Sequence, residues 1–214
     1  QDAYSEFRNR IVEAIDPQDL TSLRTLYQRE YQQLPFSKDR QQHILNAILI
    51  KSYMKAIDET VTLTAEEERV LHDYLFSVEI WGHYELLFFS SCSPLLLVQL
   101  FTKYTREMLR KSDFLQGVGK NRNMMHTLLL NAFMACIEVD DFTNALYFKK
   151  QIEKNFFEEN ETYFRIVYLW AEGLLDSKQG RVEEGRKKME DAVRIFEIIG
   201  CSKSADYYRS VIEC

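Results

Sequence analysis

Apolar residues recur along most of the chain at spacings of three and four, which is the period of an amphipathic helix. The stretch 182–199 is typical, because Val182, Met189, Val193 and Phe196 fall on one face between charged residues. We find no stretch with the alternation of a half-buried strand, so the chain is predicted to be all-α. The pattern predicts helices at 2–15, 18–34, 38–58, 65–79, 81–91, 94–112, 121–138, 142–157, 161–178, 182–199 and 202–213.

Capping signals support several of these boundaries. Thr64 and Glu67 have the spacing of a capping box, in which each side chain bonds the backbone N–H of the other residue. Gly180 and Gly200 follow helical stretches and suit the left-handed residue that ends many helices. Long helices joined by short turns are therefore expected.

The helices from residue 129 onward are predicted to form repeated pairs. When 129–152 is aligned with 169–192, a shift of 40 residues, Asp140 aligns with Gly180 and Ala145 with Gly185. The small residue near the fourth position of each second helix lets two antiparallel helices approach closely. Such pairs build tetratricopeptide-like solenoids, whose period is about 34 residues or somewhat longer. We expect a right-handed solenoid of antiparallel helix pairs over one domain, 1–214, with 202–213 as its capping helix.

A shorter echo of the same pattern lies upstream. The segment HILNAILI at 43–50 resembles LLLNAFMA at 128–135, and the two share Leu-Asn-Ala at a shift of 85 residues. We therefore expect Asn46 and Asn131 to occupy the same place in two helix pairs.

Charge and composition exclude several classes of protein. The net charge of −6 argues against a nucleic-acid surface spread over this chain, because phosphate contacts need a basic patch. The four cysteines form no CxxC pair and suit reduced thiols. Neither a signal peptide nor an apolar run of about 18 residues is present, so we expect a cytoplasmic protein without a membrane segment. Since the chain begins at Gln1 and not at Met, we expect a fragment of a longer protein.

Catalytic and metal-binding motifs are missing from the sequence. It contains no Gly-rich phosphate loop, HExxH or GxSxG, and its four histidines are isolated from one another. The acidic run 66–68 opens a predicted helix, where it favourably meets the positive end of the helix dipole. We therefore expect neither an enzyme nor a bound cofactor or metal ion.

A solenoid has a concave face built by the first helix of each pair, and such faces commonly hold extended peptides or partner helices. The groove positions that the 40-residue alignment predicts are mostly apolar, which suits a short hydrophobic peptide. They are Thr127, Leu130, Asn131, Met134, Ile137 and Glu138 in one repeat, and Val167, Trp170, Ala171 and Leu174 in the next.

Asn131 is the polar residue within the apolar run of LLLNAFMACIEVDDF, residues 128–142. Its side chain offers one acceptor oxygen and two donor hydrogens. It can therefore pair with both the N–H and the C=O of an extended peptide, whatever the peptide's side chains are. The alternative is that Asn131 bonds within the helix bundle, to a neighbouring helix or loop.

Aromatic residues are concentrated in VEIWGHYELLFFSSC, residues 78–92. Helical spacing predicts that Trp81, Tyr84 and Phe88 share one face. An aromatic stripe of this kind belongs to a core more often than to a ligand site. Tyr84 and Phe88 are nevertheless retained as candidate peptide contacts.

The segments 72–92, 128–153 and 172–200, with WGHYEL and LNAFMACI as their most distinctive parts, resemble the C-terminal domain of Rgg/GadR/MutR-type transcriptional regulators of Gram-positive bacteria. The resemblance implies a tetratricopeptide-like domain that binds a short imported peptide pheromone and forms a homodimer. Promoter DNA would be bound by an N-terminal helix-turn-helix domain that is absent from this chain. Asn131 matches the groove asparagine of that family, and Arg122 matches an arginine shortly before it. The alternative is a tetratricopeptide-type scaffold for protein–protein contacts, without a peptide effector.

Overall fold

The computed structural model describes residues 11, 19–111, 119–155 and 158–212, and every regular element within them is helical. This confirms the all-α prediction. The predicted helix at 2–15 lies outside the described residues except for position 11. Between residues 19 and 212, the described part of the chain has the helices α1 Leu20–Gln33, α2 Arg40–Ile57, α3 Ala65–Ser77, α4 His83–Cys92, α5 Val98–Lys111, α6 Gly119–Glu138, α7 Phe142–Lys154, α8 Thr162–Lys178, α9 Val182–Ile198 and α10 Ser202–Ile212.

The chain divides into two compact units, Gln1–Asp113 and Phe114–Cys214. A single domain over 1–214 stays a prediction. In the first unit, α1, α3 and α4 pack against α2. The run 47–50 in α2 is buried at four consecutive positions, which a helix shows when neighbours cover it on several sides.

A buried polar cluster joins three helices of the first unit around Glu67, whose side chain is inaccessible to solvent. Its Oε2 accepts hydrogen bonds from Lys51 Nζ at 2.6 Å and from the Thr64 backbone N–H at 2.7 Å. Its Oε1 accepts from the hydroxyls of Tyr27 at 2.8 Å and Tyr31 at 3.1 Å. Burial by itself raises the pKa of the Glu67 carboxyl, but these donors, Lys51 above all, hold it below its ordinary value. The carboxylate is therefore charged and fully engaged, and the predicted capping box is confirmed.

The aromatic stretch of the first unit begins its helix later than predicted. α4 begins at His83, and Gly82 is its N-cap with extended backbone. Trp81 therefore does not share a helical face with Tyr84 and Phe88, and that prediction is wrong. The Trp81 ring instead packs edge-on against Phe89, with 5.4 Å between ring centroids. Likewise α5 begins at Val98 rather than at 94, after a 3₁₀ turn at Ser93–Leu95.

In the second unit, α6 packs against α7, α8 against α9, α6 against α8, and α9 against α10. Three of these helices end in the same way, with a left-handed residue two positions after the last helical one. These residues are Asp140 (φ 57°), Gly180 (φ 90°) and Gly200 (φ 78°). In each case the next N–H bonds back to a carbonyl five residues earlier, which is the Schellman pattern. The bonds join Asp141 to Cys136, Arg181 to Asp176 and Cys201 to Phe196, at 2.8–2.9 Å.

The fourth residue of each following helix is small and buried, at Ala145, Gly185 and Ala205. A methyl group added at Gly185 would collide with the Gly173 carbonyl oxygen, and one added at Gly173 would collide with that of Gly185. These two backbones therefore approach as closely as the small residues were predicted to allow. The 40-residue repeat is present in the structure, and its turn recurs at residue 200. The right-handed course of the stack stays a prediction.

Candidate functional site in the second unit

A surface hollow of about 280 Å³ lies in the second unit between α6, α8 and α10. Four of the predicted groove residues of the repeat line it, namely Asn131, Met134, Glu138 and Trp170. The complete lining is Asn131, Met134, Ala135 and Glu138 from α6, Trp170 from α8, and Tyr207, Tyr208 and Val211 from α10.

The lining residues of α6 form one helical stripe, because positions 131, 134, 135 and 138 are spaced by three, four and seven residues. The opposite side of α6 carries buried Ala132, Phe133 and Cys136, which fix the helix against the rest of the unit. Packing of that apolar side therefore turns the 131–138 stripe toward the hollow.

The side-chain amide of Asn131 is exposed to solvent. Within the described residues no other group donates to it or accepts from it. The alternative interpretation, in which Asn131 bonds to a neighbouring helix or loop, therefore finds no partner in this part of the structure. Both its oxygen and its two N–H hydrogens are available to a ligand.

Trp170 forms the floor of the hollow and is only 3% exposed. The Tyr208 ring packs on it, with 5.2 Å between centroids, and stacks on Phe196 at 5.6 Å. Burial raises the pKa of the Tyr208 phenol, so this residue stays uncharged at neutral pH. The Trp170 indole N–H is buried and has no hydrogen-bond partner among the described residues.

The charge of the hollow is set by Glu138. It is the one carboxylate among the eight lining residues, and none of them is a lysine or an arginine. Apart from Glu138, the surface offered to a ligand consists of apolar, aromatic and neutral amide groups. This composition agrees with the predicted preference for a hydrophobic peptide.

The other predicted groove residues of the repeat do not line the hollow. Leu130, Ile137, Val167 and Ala171 are buried in the core. Thr127 and Leu174 are half-buried, and the Thr127 hydroxyl donates to the Asn123 carbonyl at 3.0 Å.

Arg122 forms an ion pair within the second unit. Its Nε donates to Glu161 Oε1 at 2.7 Å and its terminal nitrogen to Oε2 at 3.3 Å, which links the beginnings of α6 and α8. Glu161 also lies 3.4 Å from His126, whose burial lowers its pKa to about 4. Burial by itself raises the pKa of the Glu161 carboxyl, but the bond from Arg122 holds it below its ordinary value. The Arg122 guanidinium is thus engaged inside the protein.

Tyr84 and Phe88 lie in the first unit. Their rings are stacked 6.3 Å apart, and Tyr74 meets Phe88 edge-on at 5.3 Å. Phe88 is fully buried, as expected of a core aromatic residue.

The prediction from sequence did not include the three α10 residues of the hollow. That helix was expected only as a cap, and the repeat alignment ends before it. A signal was present, because Tyr207 and Val211 are spaced by four residues and lie on a different face from buried Ala205 and Tyr208. An apolar pair on a helix face that the core does not use is a signal of a contact surface.

The described residues contain neither a cluster of metal ligands nor a membrane-spanning helix. No group of three or more His, Cys, Asp or Glu side chains in this part of the chain could hold a metal ion. Within the same residues, no helix is both long enough and apolar enough to cross a membrane.

Residues 25–210 match the family of the HTH-type transcriptional regulator Rgg, C-terminal domain. The fold is similar to that of the SHP pheromone receptor Rgg2 from Streptococcus dysgalactiae, with a TM-score of 0.84 at 24% identity over 100% of this chain and 74% of that one. A second Rgg2 structure gives the same TM-score and identity over 99% and 76%. A candidate transcriptional regulator from Listeria monocytogenes matches with a TM-score of 0.76 at 18% identity, over 97% and 71%.

Proposed function

Because the chain belongs to the Rgg family of transcriptional regulators, as the C-terminal domain of such a protein, we propose that it is a cytoplasmic sensor for a short hydrophobic peptide. The family consists of regulators and not of enzymes, in agreement with the missing catalytic motifs. A structurally similar member, Rgg2, is a pheromone receptor, which supports a peptide ligand here. DNA would be bound by an attached helix-turn-helix domain.

The observation that carries this proposal is the uncommitted amide of Asn131 beside a hollow that also exposes the apolar side chains of Met134 and Val211. An extended peptide in water has solvated N–H and C=O groups, and a bound one must find partners for them. Asn131 can supply one acceptor and one donor to the same peptide residue, while Met134 and Trp170 cover its apolar side chain. Each such hydrogen bond contributes about 0.5–1.5 kcal/mol, so loss of the pair would weaken binding roughly tenfold.

The regulatory step is a shift between conformations. A peptide that binds one arrangement of the helices more tightly than another raises the population of that arrangement. The attached DNA-binding domains would then be repositioned, and the coupling would be reciprocal between peptide and DNA.

The experiment is a selection from a degenerate pool of short synthetic peptides by the tethered chain, followed by mass spectrometry of the retained peptides. We expect the wild type to retain a subset rich in uncharged apolar sequences. Asn131→Ala should lose most of this subset, because the backbone contact is removed. Asn160→Ala is the matched control, since it changes an exposed asparagine outside the hollow and should behave as the wild type.

Two results would contradict the proposal. Equal retention by wild type and Asn131→Ala would show that Asn131 does not hold the peptide. Retention of no subset at all would favour the tetratricopeptide-type scaffold, in which a folded protein and not a short peptide is the partner.

We further propose that the chain forms a homodimer, as its resemblance to the family implies. Exposed apolar side chains in the second unit, such as Ile198 and Val182, supply surface of the kind that subunit contacts bury. Sedimentation analysis over a range of concentrations tests this proposal. A monomer throughout the micromolar range would contradict it.

A further inference from the structure

The outer face of α10 carries two apolar side chains that the core does not use. Tyr207 is 64% exposed and Val211 39% exposed, and their spacing of four residues places them on one face. Buried Ala205 and Tyr208 make the inner face of the same helix. The terminal helix is therefore apolar on two sides, although only the inner side is needed to attach it to the unit.

The second apolar face of α10 borders the hollow opposite α6. Tyr207 and Val211 form one wall, and Met134 and Ala135, both partly exposed, form the other. A space of about 280 Å³ lies between these two walls and Trp170. At about 30 Å³ per water molecule this is space for roughly nine waters, which is enough for one large side chain.

Trp170, the floor of the hollow, is packed against another aromatic ring. Trp170 is held by the Tyr208 ring, which is itself stacked on Phe196. Its buried Nε1–H finds no acceptor among the described residues.

The charge of the hollow restricts which side chain of a peptide it can accept. Glu138 is its one carboxylate, and no cation lines the hollow to balance an incoming acidic group. An aspartate or glutamate side chain would lose its hydration against two apolar walls and be repelled by Glu138. A large uncharged side chain meets neither cost.

We propose that Tyr207 and Val211 of α10 are specificity residues, which together with Met134 and Trp170 select a large, uncharged, aromatic or branched side chain of the peptide. This inference rests on the proposed function, because it assigns a side-chain subsite beside the backbone contact of Asn131. The helix expected only as a cap thus determines which peptides are accepted.

The first test uses small probes in place of the unidentified peptide. The chain is labelled with ¹³C-methyl methionine, and the Met134 signal is assigned by its loss in Met134→Leu. N-acetyl-L-tryptophanamide and N-acetyl-L-leucinamide should shift this signal in a saturable way, whereas N-acetyl-L-aspartamide should not. Equal shifts with all three probes, or none with any, would overturn the proposal.

The second test compares variants. Tyr207→Ala should weaken the tryptophanamide response several-fold and broaden the peptides retained from the pool, while Tyr207→Phe should keep both properties. Leu146→Ala removes another exposed apolar side chain of the second unit, outside the hollow, and is the matched control. Because Tyr207 is largely exposed, its replacement should leave the melting temperature nearly unchanged, which is measured on the same samples.

The outcomes separate this inference from the function on which it rests. Peptide retention that depends on Asn131 but keeps the same composition in Tyr207→Ala would overturn the specificity role and leave the proposed function standing. Retention of no peptide by the wild type, with saturable tryptophanamide binding at Met134, would overturn the proposed function and support the hollow as an apolar site.

Discussion

The tripeptide Leu-Asn-Ala occurs on α2 in the first unit and on α6 in the second, and its two asparagines have opposite surroundings. Asn46 accepts a hydrogen bond from Gln42 at 3.0 Å and donates one to Glu30 at 3.2 Å. Glu30 in turn lies 2.7 Å from a ring nitrogen of His43. Asn131 is exposed, and the described residues offer it no such partner. One amide joins two helices, and the other is left available.

The difference comes from what lies opposite each asparagine. In the first unit α1 presents Glu30, a polar acceptor at hydrogen-bond distance. In the second unit α10 presents Tyr207 and Val211 across a hollow. The same residue is therefore structural where a neighbouring helix satisfies it and becomes a candidate ligand contact where no neighbour does. The echo predicted a common position, but the partner and not the position decides the role.

The largest effect should come from the first unit, where polar groups depend on one another. Lys51→Ala removes the cation from the fully buried Glu67 carboxylate, which keeps only its neutral donors. Breaking a buried ion pair in this way costs about 3–5 kcal/mol. We expect the free energy of unfolding, measured with urea, to fall by about 3 kcal/mol. Lys38→Ala, at an exposed position, is the control, and similar losses in both variants would contradict this role of the cluster.

The second unit also contains buried ionisable groups away from the hollow. For His126, the dependence of stability on pH is the test. Its folded-state pKa of about 4 lies below the ordinary value of about 6.5, so the fold holds the neutral imidazole. The unfolded chain binds the proton first as the pH falls. The free energy of unfolding therefore has its full value above about pH 6.5. Between about pH 6.5 and 4 it falls by about 1–3 kcal/mol.

The measurement is urea unfolding of wild type and His126→Phe across this pH range. The variant should show a flatter dependence on pH, because it has no group to protonate in the unfolded chain. His83→Gln, at an exposed histidine, should retain the slope of the wild type. Parallel curves for wild type and His126→Phe would show that this pKa does not govern the acid response.

Much of the fold follows from local patterns in the sequence. Apolar spacing predicted every described helix, and the alignment of Asp140 with Gly180 placed two left-handed turns in register although only one carries glycine. The predicted helix boundaries were wrong where one local sequence signal is compatible with two structures. The predicted helix at 81–91 includes Gly82, but the extended backbone of this residue caps the helix that follows.

The candidate site was predictable only in part. Helical phase places Asn131 and Met134 on one stripe of α6, and the repeat adds Trp170. Phase does not tell whether a stripe is covered, so buried Leu130 and Val167 were predicted alongside them. The engagement of Arg122 with Glu161 and the arrival of Tyr207 at the hollow depend on contacts between residues far apart in sequence. Such contacts leave no periodic signal.

A smaller effect separates the two asparagines directly. Asn46→Ala removes an acceptor from Gln42 and a donor from Glu30, both partly buried, and should lower the free energy of unfolding by about 1–2 kcal/mol. Asn131→Ala removes no intramolecular bond among the described residues and should change it by less than about 0.5 kcal/mol. Urea denaturation of both variants measures the difference, and an equal loss of stability would show that Asn131 is structural after all.

The smallest expected effect on stability concerns the residues that follow the ends of α6 and α2. α6 is followed by left-handed Asp140, whereas Asp58, the C-cap of α2, has extended backbone, so the echo does not include the turn of the repeat. Asp140→Gly relieves the strain of a left-handed non-glycine residue. Two losses offset this gain, because glycine makes the unfolded chain more flexible and the exposed ion pair with Lys178 is removed. It should change stability by no more than about 0.5 kcal/mol in either direction. Asp58→Gly gains no such relief, and it loses the bonds to the Thr60 N–H at 3.0 Å and hydroxyl at 2.6 Å. Asp58→Gly should lower the free energy of unfolding by about 1 kcal/mol. Thermal unfolding of both variants is the measurement. A larger loss of stability in Asp140→Gly than in Asp58→Gly would contradict the distinction.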